Sequence, residues 1–147
     1  MIFIWKGNII ILYKEGIKIS STTIRLYDFS EKEKLDIILA LKEKAKEGKF
    51  HIIKREKNLD FIRMFRLNKR KISELIQKIT IDDFCYRTLD REYEKRGPSS
   101  LIVIKREYEL INYLGINDRI CIYIKYKEVE NGQSVPIISF HSDETNE

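Results

Sequence analysis

Four side chains near the C-terminus are of the types that can act together on a phosphodiester bond. Strand alternation places Tyr123 and Lys125 on one face of a predicted strand, and Ser139 and His141 on one face of the last strand. The Asn-Gly pair at 131–132, typical of a tight hairpin turn, separates these two strands. We therefore expect a phenol, an ammonium, a hydroxyl and an imidazole to share one open sheet face.

This set of side chains suits metal-free cleavage of RNA. In that reaction the 2′-hydroxyl attacks the adjacent phosphate, so one group takes the 2′ proton, another protonates the leaving 5′ oxygen, and a cation stabilises the phosphate. His141 is the candidate for either proton transfer, Lys125 for the phosphate, and Tyr123 for a hydrogen bond or a base contact. DNA lacks the 2′-hydroxyl and would be spared. The same residue types are ordinary on an exposed sheet face, and that alternative stays open.

The elements that must position these residues follow an α+β pattern. A strand-rich N-terminus with a turn at Lys6-Gly7 predicts a β-hairpin, and a capping box at Ser30 and Glu33 begins a helix that should end near Lys46. Then follow a short strand at 50–54, helices at 58–66 and from 68, and strands at 101–105, 119–128 and 134–141. We expect a single domain, 1–147, with helices on one side of a small antiparallel sheet. Ile138 and Phe140 should face those helices.

Composition limits the classes of partner. The net charge is +5, and the stretch 49–71 holds nine Lys or Arg against two acids. Such a stretch favours a nucleic-acid partner, although a solvated helix face would look the same. Cys85 and Cys121 are isolated, so neither a metal site nor a disulfide is expected. No apolar run is long enough to span a membrane, and no cleavage site follows the apolar N-terminus, which predicts a cytoplasmic protein.

Four short motifs follow one another in the last two thirds of the chain. In order, they are Arg55-Glu56-Lys57-Asn58 followed by Phe61-Ile62, then Ile81-Asp82-Asp83-Phe84, Tyr123-Ile124-Lys125 and Ser139-Phe140-His141. In this order, and over 50–144, the chain resembles the MqsR family, which are RNA-cleaving toxins of bacterial toxin–antitoxin pairs.

The resemblance implies a RelE-like fold, sequence-preferring cleavage of mRNA, and neutralisation by a cognate antitoxin protein, and we expect no cofactor. It implies catalytic groups at Tyr123 and His141 and, after the acidic-aromatic step, near Arg87, where the assignment could be off by one. Lys125 shares the face of Tyr123 and joins this set. The side chains expected to hold the RNA backbone are Arg55, Lys57, Lys105 and Arg106.

Some segments and functions stay open. We expect residues 1–28 to form a β extension ahead of a toxin-like core at 29–144. The segment 106–117 looks like an insertion, and the acidic tail 142–147 should be frayed. The basic stretch would also suit a non-catalytic RNA-binding module or a degenerate toxin. The N-terminal hairpin would suit a domain that adds a strand to a partner's sheet. Association with the ribosome is compatible with each RNA-directed function.

Overall fold

The computed structural model describes residues 2–5, 9–12, 29–89 and 100–143. The elements, in chain order, are β1 (Ile2–Trp5), β2 (Ile9–Leu12), α1 (Glu31–Lys46), β3 (Phe50–Ile52), α2 (Glu56–Met64), α3 (Lys69–Gln77), a 3-10 turn (Ile81–Asp83), β4 (Phe84–Leu89), β5 (Ser100–Ile111), β6 (Asn117–Lys127) and β7 (Val135–Ser142). The α+β class predicted from the sequence is confirmed. The expected turn at 6–7, most of the 1–28 extension and the tail from 144 onward lie outside the described residues.

Five strands form one mixed sheet in the order β3-β7-β6-β5-β4. Strands β4 to β7 pair antiparallel, whereas β3 pairs parallel with β7. The expectation of a purely antiparallel sheet is therefore wrong at this pair. Two helices and three strands separate β3 from β7 in the chain, and so long a connection can return a strand in either direction. Strands β1 and β2 pair antiparallel in a separate two-stranded sheet.

The three helices that the structure describes share one core with one face of the five-stranded sheet. From the helices, the buried residues include Ile38 and Leu41 of α1, Phe61 of α2, and Ile72 and Ile76 of α3. From the strands, alternate residues face this core, among them Ile102, Ile104, Ile122, Ile124 and Phe140. Because side chains alternate along a strand, burial of this set fixes which residues must point to the opposite face.

Side-chain caps explain where the helices begin. Ser30 accepts a hydrogen bond from the Glu33 backbone, and the Glu33 carboxylate accepts one from the Ser30 backbone, so the predicted capping box is confirmed. Asn68 caps α3 by accepting a hydrogen bond from the Lys71 backbone at 2.8 Å. Among the described helices the longest, α1, has 16 residues, and none is long and apolar enough to cross a membrane.

Removing the α1 cap should cost a measurable part of the stability. We expect Ser30→Ala to lower the free energy of unfolding by about 1 kcal/mol, because the Glu33 N–H loses its acceptor. Ser30→Asp, which keeps an acceptor oxygen at the same position, should stay near the parent value. Urea unfolding of the three proteins measures the difference, and an Ala variant as stable as the Asp variant would contradict this role of Ser30.

Strands β5 and β6 form a long hairpin, and the segment 106–117 that looks like an insertion is its outer part: the end of β5, the tip at 112–116 and the first residue of β6. Asn112 closes the turn by accepting hydrogen bonds from the backbones of Leu114, at 2.9 Å, and Ile116, at 3.1 Å. Gly115 adopts φ +82°, a value that favours glycine. The backbone N–H of Tyr113 donates to the Met64 carbonyl at 2.7 Å, which ties the tip to the end of α2. Tyr113, Leu114 and Ile116 are all exposed.

Candidate functional site

The register of the sheet brings the predicted side chains into two neighbouring rows. Tyr123 lies directly opposite His141 on one side and Lys105 on the other, and Lys125 lies directly opposite Ser139. Directly opposed residues on adjacent strands share a face. We call the face with these five residues, which points away from the helices, the outer face. Ser139 is buried, whereas the other four are partly exposed.

Tyr123 and His141 form the centre of the longer row. Their rings stack, with centroids 5.8 Å apart and planes 20° from parallel. The Nδ1 atom of His141 lies 2.9 Å from the carbonyl oxygen of Ser142. A carbonyl can only accept, so this contact assigns the proton to Nδ1 and leaves the lone pair of the neutral ring on Nε2. Nε2 is therefore the nitrogen that could exchange a proton with a substrate.

The phenol of Tyr123 is held in its protonated form. Burial raises its pKa well above the usual range, and a hydrogen bond with the Tyr86 side chain raises it further. Tyr123 can therefore donate a hydrogen bond at neutral pH but cannot act as a base. Tyr86 lies on β4 opposite Val103, which places it on the outer face beside Tyr123. The sequence motifs gave no indication of Tyr86.

A cation lies beside the same ring. The Lys105 Nζ atom is 5.8 Å from the centroid of Tyr123 and 3.2 Å from Oδ2 of Asp143. The side chains of Lys105 and Asp143 are 34% and 7% exposed, so this ion pair is largely shielded from solvent. Lys105, predicted as an RNA contact, therefore lies within the Tyr123–His141 row. Asp143, at the start of the expected frayed tail, was not predicted.

A β-bulge in β7 lies just before Ser139 and His141. Lys125 pairs with Ser139, but Tyr126 pairs with Ile137, so Ile138 is an extra residue in the ladder. Ile137 is fully buried against the helices, whereas Ile138 is only partly buried. The expectation that Ile138 faces the core is therefore wrong. The bulge lies before Ser139, so the alternation from there to His141 is the one expected.

Asn58 in the first turn of α2 binds the bulged segment through its side chain. Its Nδ2 donates to the carbonyl oxygens of Ile53 and Ile138, each at 2.9 Å, and its Oδ1 accepts from the Phe140 N–H at 2.9 Å. Asn58 is fully buried. Each hydrogen-bonding group of this carboxamide therefore has a backbone partner, and two of the three partners lie in β7.

The two cations predicted at the start of α2 are both exposed. Arg55 also reaches the outer face, because its Nη1 lies 3.3 Å from the Ile138 carbonyl oxygen and 3.3 Å from Ser139 Oγ. Lys57 lies two residues further along in the same turn. Arg55 is thus placed where it could contact both β7 and an RNA phosphate next to Lys125.

Arg87 does not join the row. Phe84 pairs with Ile104 and Tyr86 with Val103, so Cys85 is an extra residue in β4 and shifts the alternation by one. Arg87 consequently faces the helices, where its Nε lies 2.9 Å and its Nη2 3.0 Å from the two carboxylate oxygens of Glu128. The assignment of Arg87 to the catalytic set is not supported, since Tyr86 occupies the outer position.

Arg106 also lies on the side of the helices. It pairs with Ile122, a core residue, and its Nη1 is 2.9 Å from Oδ2 of Asp83. The same Asp83 oxygen accepts a hydrogen bond from the Thr80 N–H. Arg106 therefore connects β5 to the 3-10 turn and does not reach the Lys105 row, so the structure separates these two consecutive residues that were expected to bind RNA together.

The structure activates neither thiol, and the described acidic side chains form no metal site. Desolvation raises the pKa of both Cys85 and Cys121, which disfavours the reactive thiolate. Among the residues that the structure describes, no three His, Cys, Asp or Glu side chains are grouped so that they could hold a metal ion. The groups around Tyr123 that could act on a substrate are thus the imidazole of His141, the phenols of Tyr86 and Tyr123, and the ammonium groups of Lys105 and Lys125.

Comparisons with protein-family models, with curated proteins and with solved structures find no match to this chain.

Proposed function

We propose that this protein is a metal-independent endoribonuclease toxin, which cleaves mRNA in the cytoplasm and is neutralised by a cognate antitoxin. The observation that carries the proposal is the row formed by Lys105, Tyr123 and His141, with Lys125 in the adjacent row. An imidazole with its Nε2 lone pair available, a phenol donor and two cations within one small area are the groups that phosphodiester cleavage needs. The motif order in the sequence supports the same activity.

In the proposed reaction the 2′-oxygen of RNA forms a bond to the adjacent phosphorus and the bond from phosphorus to the 5′-oxygen breaks. The products are a 2′,3′-cyclic phosphate and a 5′-hydroxyl. His141 Nε2 carries out one of the two proton transfers, and water serves the other. Lys105 and Lys125 stabilise the negative charge on the phosphoryl oxygens, and Tyr123 donates a hydrogen bond to one of them.

As a toxin of this kind, the protein would have a RelE-like fold and an antitoxin partner. A sheet with helices on one face is compatible with a RelE-like fold, and the four motifs support that relationship. We propose that the antitoxin is a protein and that residues 1–28 are a β extension available for contact with a partner. Strands β1 and β2 pair with each other, which is compatible with such an extension.

Arg55 should contribute one phosphate contact. We expect Arg55→Ala to weaken binding of single-stranded RNA and to reduce the slope of log K against log salt by about 0.7, the value for one phosphate. Lys32→Ala removes the same charge from the exposed N-terminal turn of α1 and should leave the slope unchanged. Fluorescence titrations at several salt concentrations measure both. Equal slopes for the two variants would exclude Arg55 from the RNA interface.

A second function, RNA binding without cleavage, is favoured by one feature of the site. The Tyr123 hydroxyl is engaged by Tyr86, and the Lys105 ammonium is engaged by Asp143. Groups that are already engaged in this way are less free to respond to the charge that develops during cleavage. The same surface would then bind RNA without cutting it, as in a degenerate toxin. The basic stretch at 49–71 would supply the affinity.

One experiment separates the two functions. Purified protein is incubated in EDTA with a labelled RNA that contains varied trinucleotides, and in parallel with translating ribosomes. Cleavage that leaves 2′,3′-cyclic phosphate ends would support the nuclease, and cleavage seen only with ribosomes would make it ribosome-dependent. Salt-sensitive binding with no cleavage in either setting would favour the binding module. Loss of cleavage in EDTA with recovery in Mg²⁺ would contradict the metal-independent reaction.

A further inference from the structure

We infer that Asn58 is a positioning residue of the proposed nuclease site, because its side chain fixes the β7 bulge that sets the direction of Ser139 and His141. The expected effect on the rate of cleavage rests on the proposed function. The expected effect on the β7 bulge rests only on the hydrogen bonds of Asn58.

The Asn58 carboxamide takes the place of a missing strand. β3 pairs with β7 only as far as Ile52 and Ile137, with a last backbone bond from the Ile53 N–H to the Ile137 carbonyl at 2.9 Å. Beyond this point the side-chain amide of Asn58 binds the Ile138 carbonyl and the Phe140 N–H. In a parallel ladder, one peptide segment binds the C=O of one residue and the N–H of the residue two further on. A carboxamide has the same donor and acceptor.

The position of the bulge decides which way the reactive residues point. Ser139 lies between the two β7 residues that Asn58 binds, and His141 follows the second of them. Since strand side chains have a period of two, moving the extra residue from Ile138 to beyond His141 would turn Ser139 and His141 toward the helices. The buried Asn58 amide opposes such a shift, because the shift would displace the Ile138 carbonyl and the Phe140 N–H from the side-chain groups that now bind them.

Two other contacts act on the same segment. Phe140 packs in the core with its ring centroid 6.0 Å from that of Phe61, also on α2. Arg55 donates to the Ile138 carbonyl from the exposed side at 3.3 Å. Phe61 therefore packs against β7, but its side chain has no hydrogen bond with the bulge. This makes Phe61 the matched control for Asn58.

The test compares Asn58→Asp, Asn58→Ser and Phe61→Leu with the parent chain. Asp keeps the acceptor for the Phe140 N–H but presents an oxygen to the two carbonyls, and Ser removes the carboxamide with little bulk. We expect both Asn58 variants to lower kcat by about 10- to 100-fold, the scale of a misplaced reacting group, with KM changed less than about threefold. Phe61→Leu should lower the melting temperature but not kcat per folded molecule.

A structural readout makes the inference independent of activity. In the parent, amide hydrogen exchange at Phe140 should be slow, and NMR should show contacts between the Tyr123 and His141 rings. Both should be weakened in the Asn58 variants and kept in Phe61→Leu. If the parent cleaves no RNA, the proposed function fails, while these NMR results still support or overturn the role of Asn58. Unchanged ring contacts, or a kcat loss no larger than that of Phe61→Leu, would overturn it.

Discussion

Replacing His141 with Ala should lower the rate of RNA cleavage by about 100- to 10,000-fold, the range expected for a lost general acid or base. The His141 Nδ1 proton is engaged by the Ser142 carbonyl, so Nε2 is the atom that exchanges a proton with the RNA. RNA affinity should change much less, because the cations of the site remain. Single-turnover cleavage of a labelled RNA, with binding measured on the same RNA, gives both quantities.

His51 provides the matched control, since the chain has two histidines. His51 is exposed on β3, and its Nδ1 lies 2.8 Å from Ser134 Oγ. We expect His51→Ala to cleave at the parent rate. If His141→Ala cleaves RNA at the parent rate, the protein is still a nuclease, but His141 does not carry out the proton transfer. A similar loss in both variants would indicate that the effect is not specific to the row.

The second large effect concerns Lys105 and Arg106, two consecutive cations of β5, and we expect only the loss of Lys105 to slow cleavage. Lys105→Ala should lower the cleavage rate by about 100-fold, the scale reported for the loss of one group that stabilises a developing oxyanion. Lys105 lies beside Tyr123 on the outer face, whereas Arg106 binds Asp83 on the side of the helices. Arg106→Ala should therefore lower the melting temperature and leave cleavage per folded molecule near the parent value.

The pair of variants is informative because both remove one positive charge from the same strand. Any effect of net charge on RNA binding is therefore common to both, and only the face differs. Thermal unfolding followed by circular dichroism gives the folded fraction for each. A loss of activity in Arg106→Ala equal to that in Lys105→Ala would mean that general charge, not position in the row, determines the rate.

Strand alternation was sufficient to predict that Tyr123, Lys125, Ser139 and His141 share one face of the sheet. The strand that holds Tyr123 is regular, and Ser139 and His141 both follow the bulge at Ile138, so within these two segments a period of two is enough to bring Tyr123 opposite His141. Lys105 and Arg106 are different, because the sequence pattern ends the strand near residue 105 and does not assign a face to either residue. The register with β6 decides that Lys105 faces outward.

The bulges explain what the sequence could not supply. An extra residue at Cys85 or Ile138 shifts the alternation by one, and no residue type at either position signals it. Arg87 was therefore assigned to the catalytic set although it faces the helices, and Tyr86 was missed. Asn58 belongs to the first motif, but its binding to β7 depends on where α2 docks. Asp143 follows the last strand in a segment whose composition indicates only a polar tail.

The bulge in β4 also bears on how this chain can change in length during evolution. Among the strands that the structure describes, β4 is the last in the sheet order and pairs with β5. Loss of the Cys85 codon would remove the extra residue, so that Phe84 and Tyr86 would become neighbours in a regular ladder with their present faces. Loss of the Arg87 codon would instead move Thr88 into the position of Arg87 and remove the cation that pairs with Glu128. We therefore expect single-codon deletions in β4 to be tolerated at residue 85 and selected against at residue 87, a contrast that a deletion scan would show.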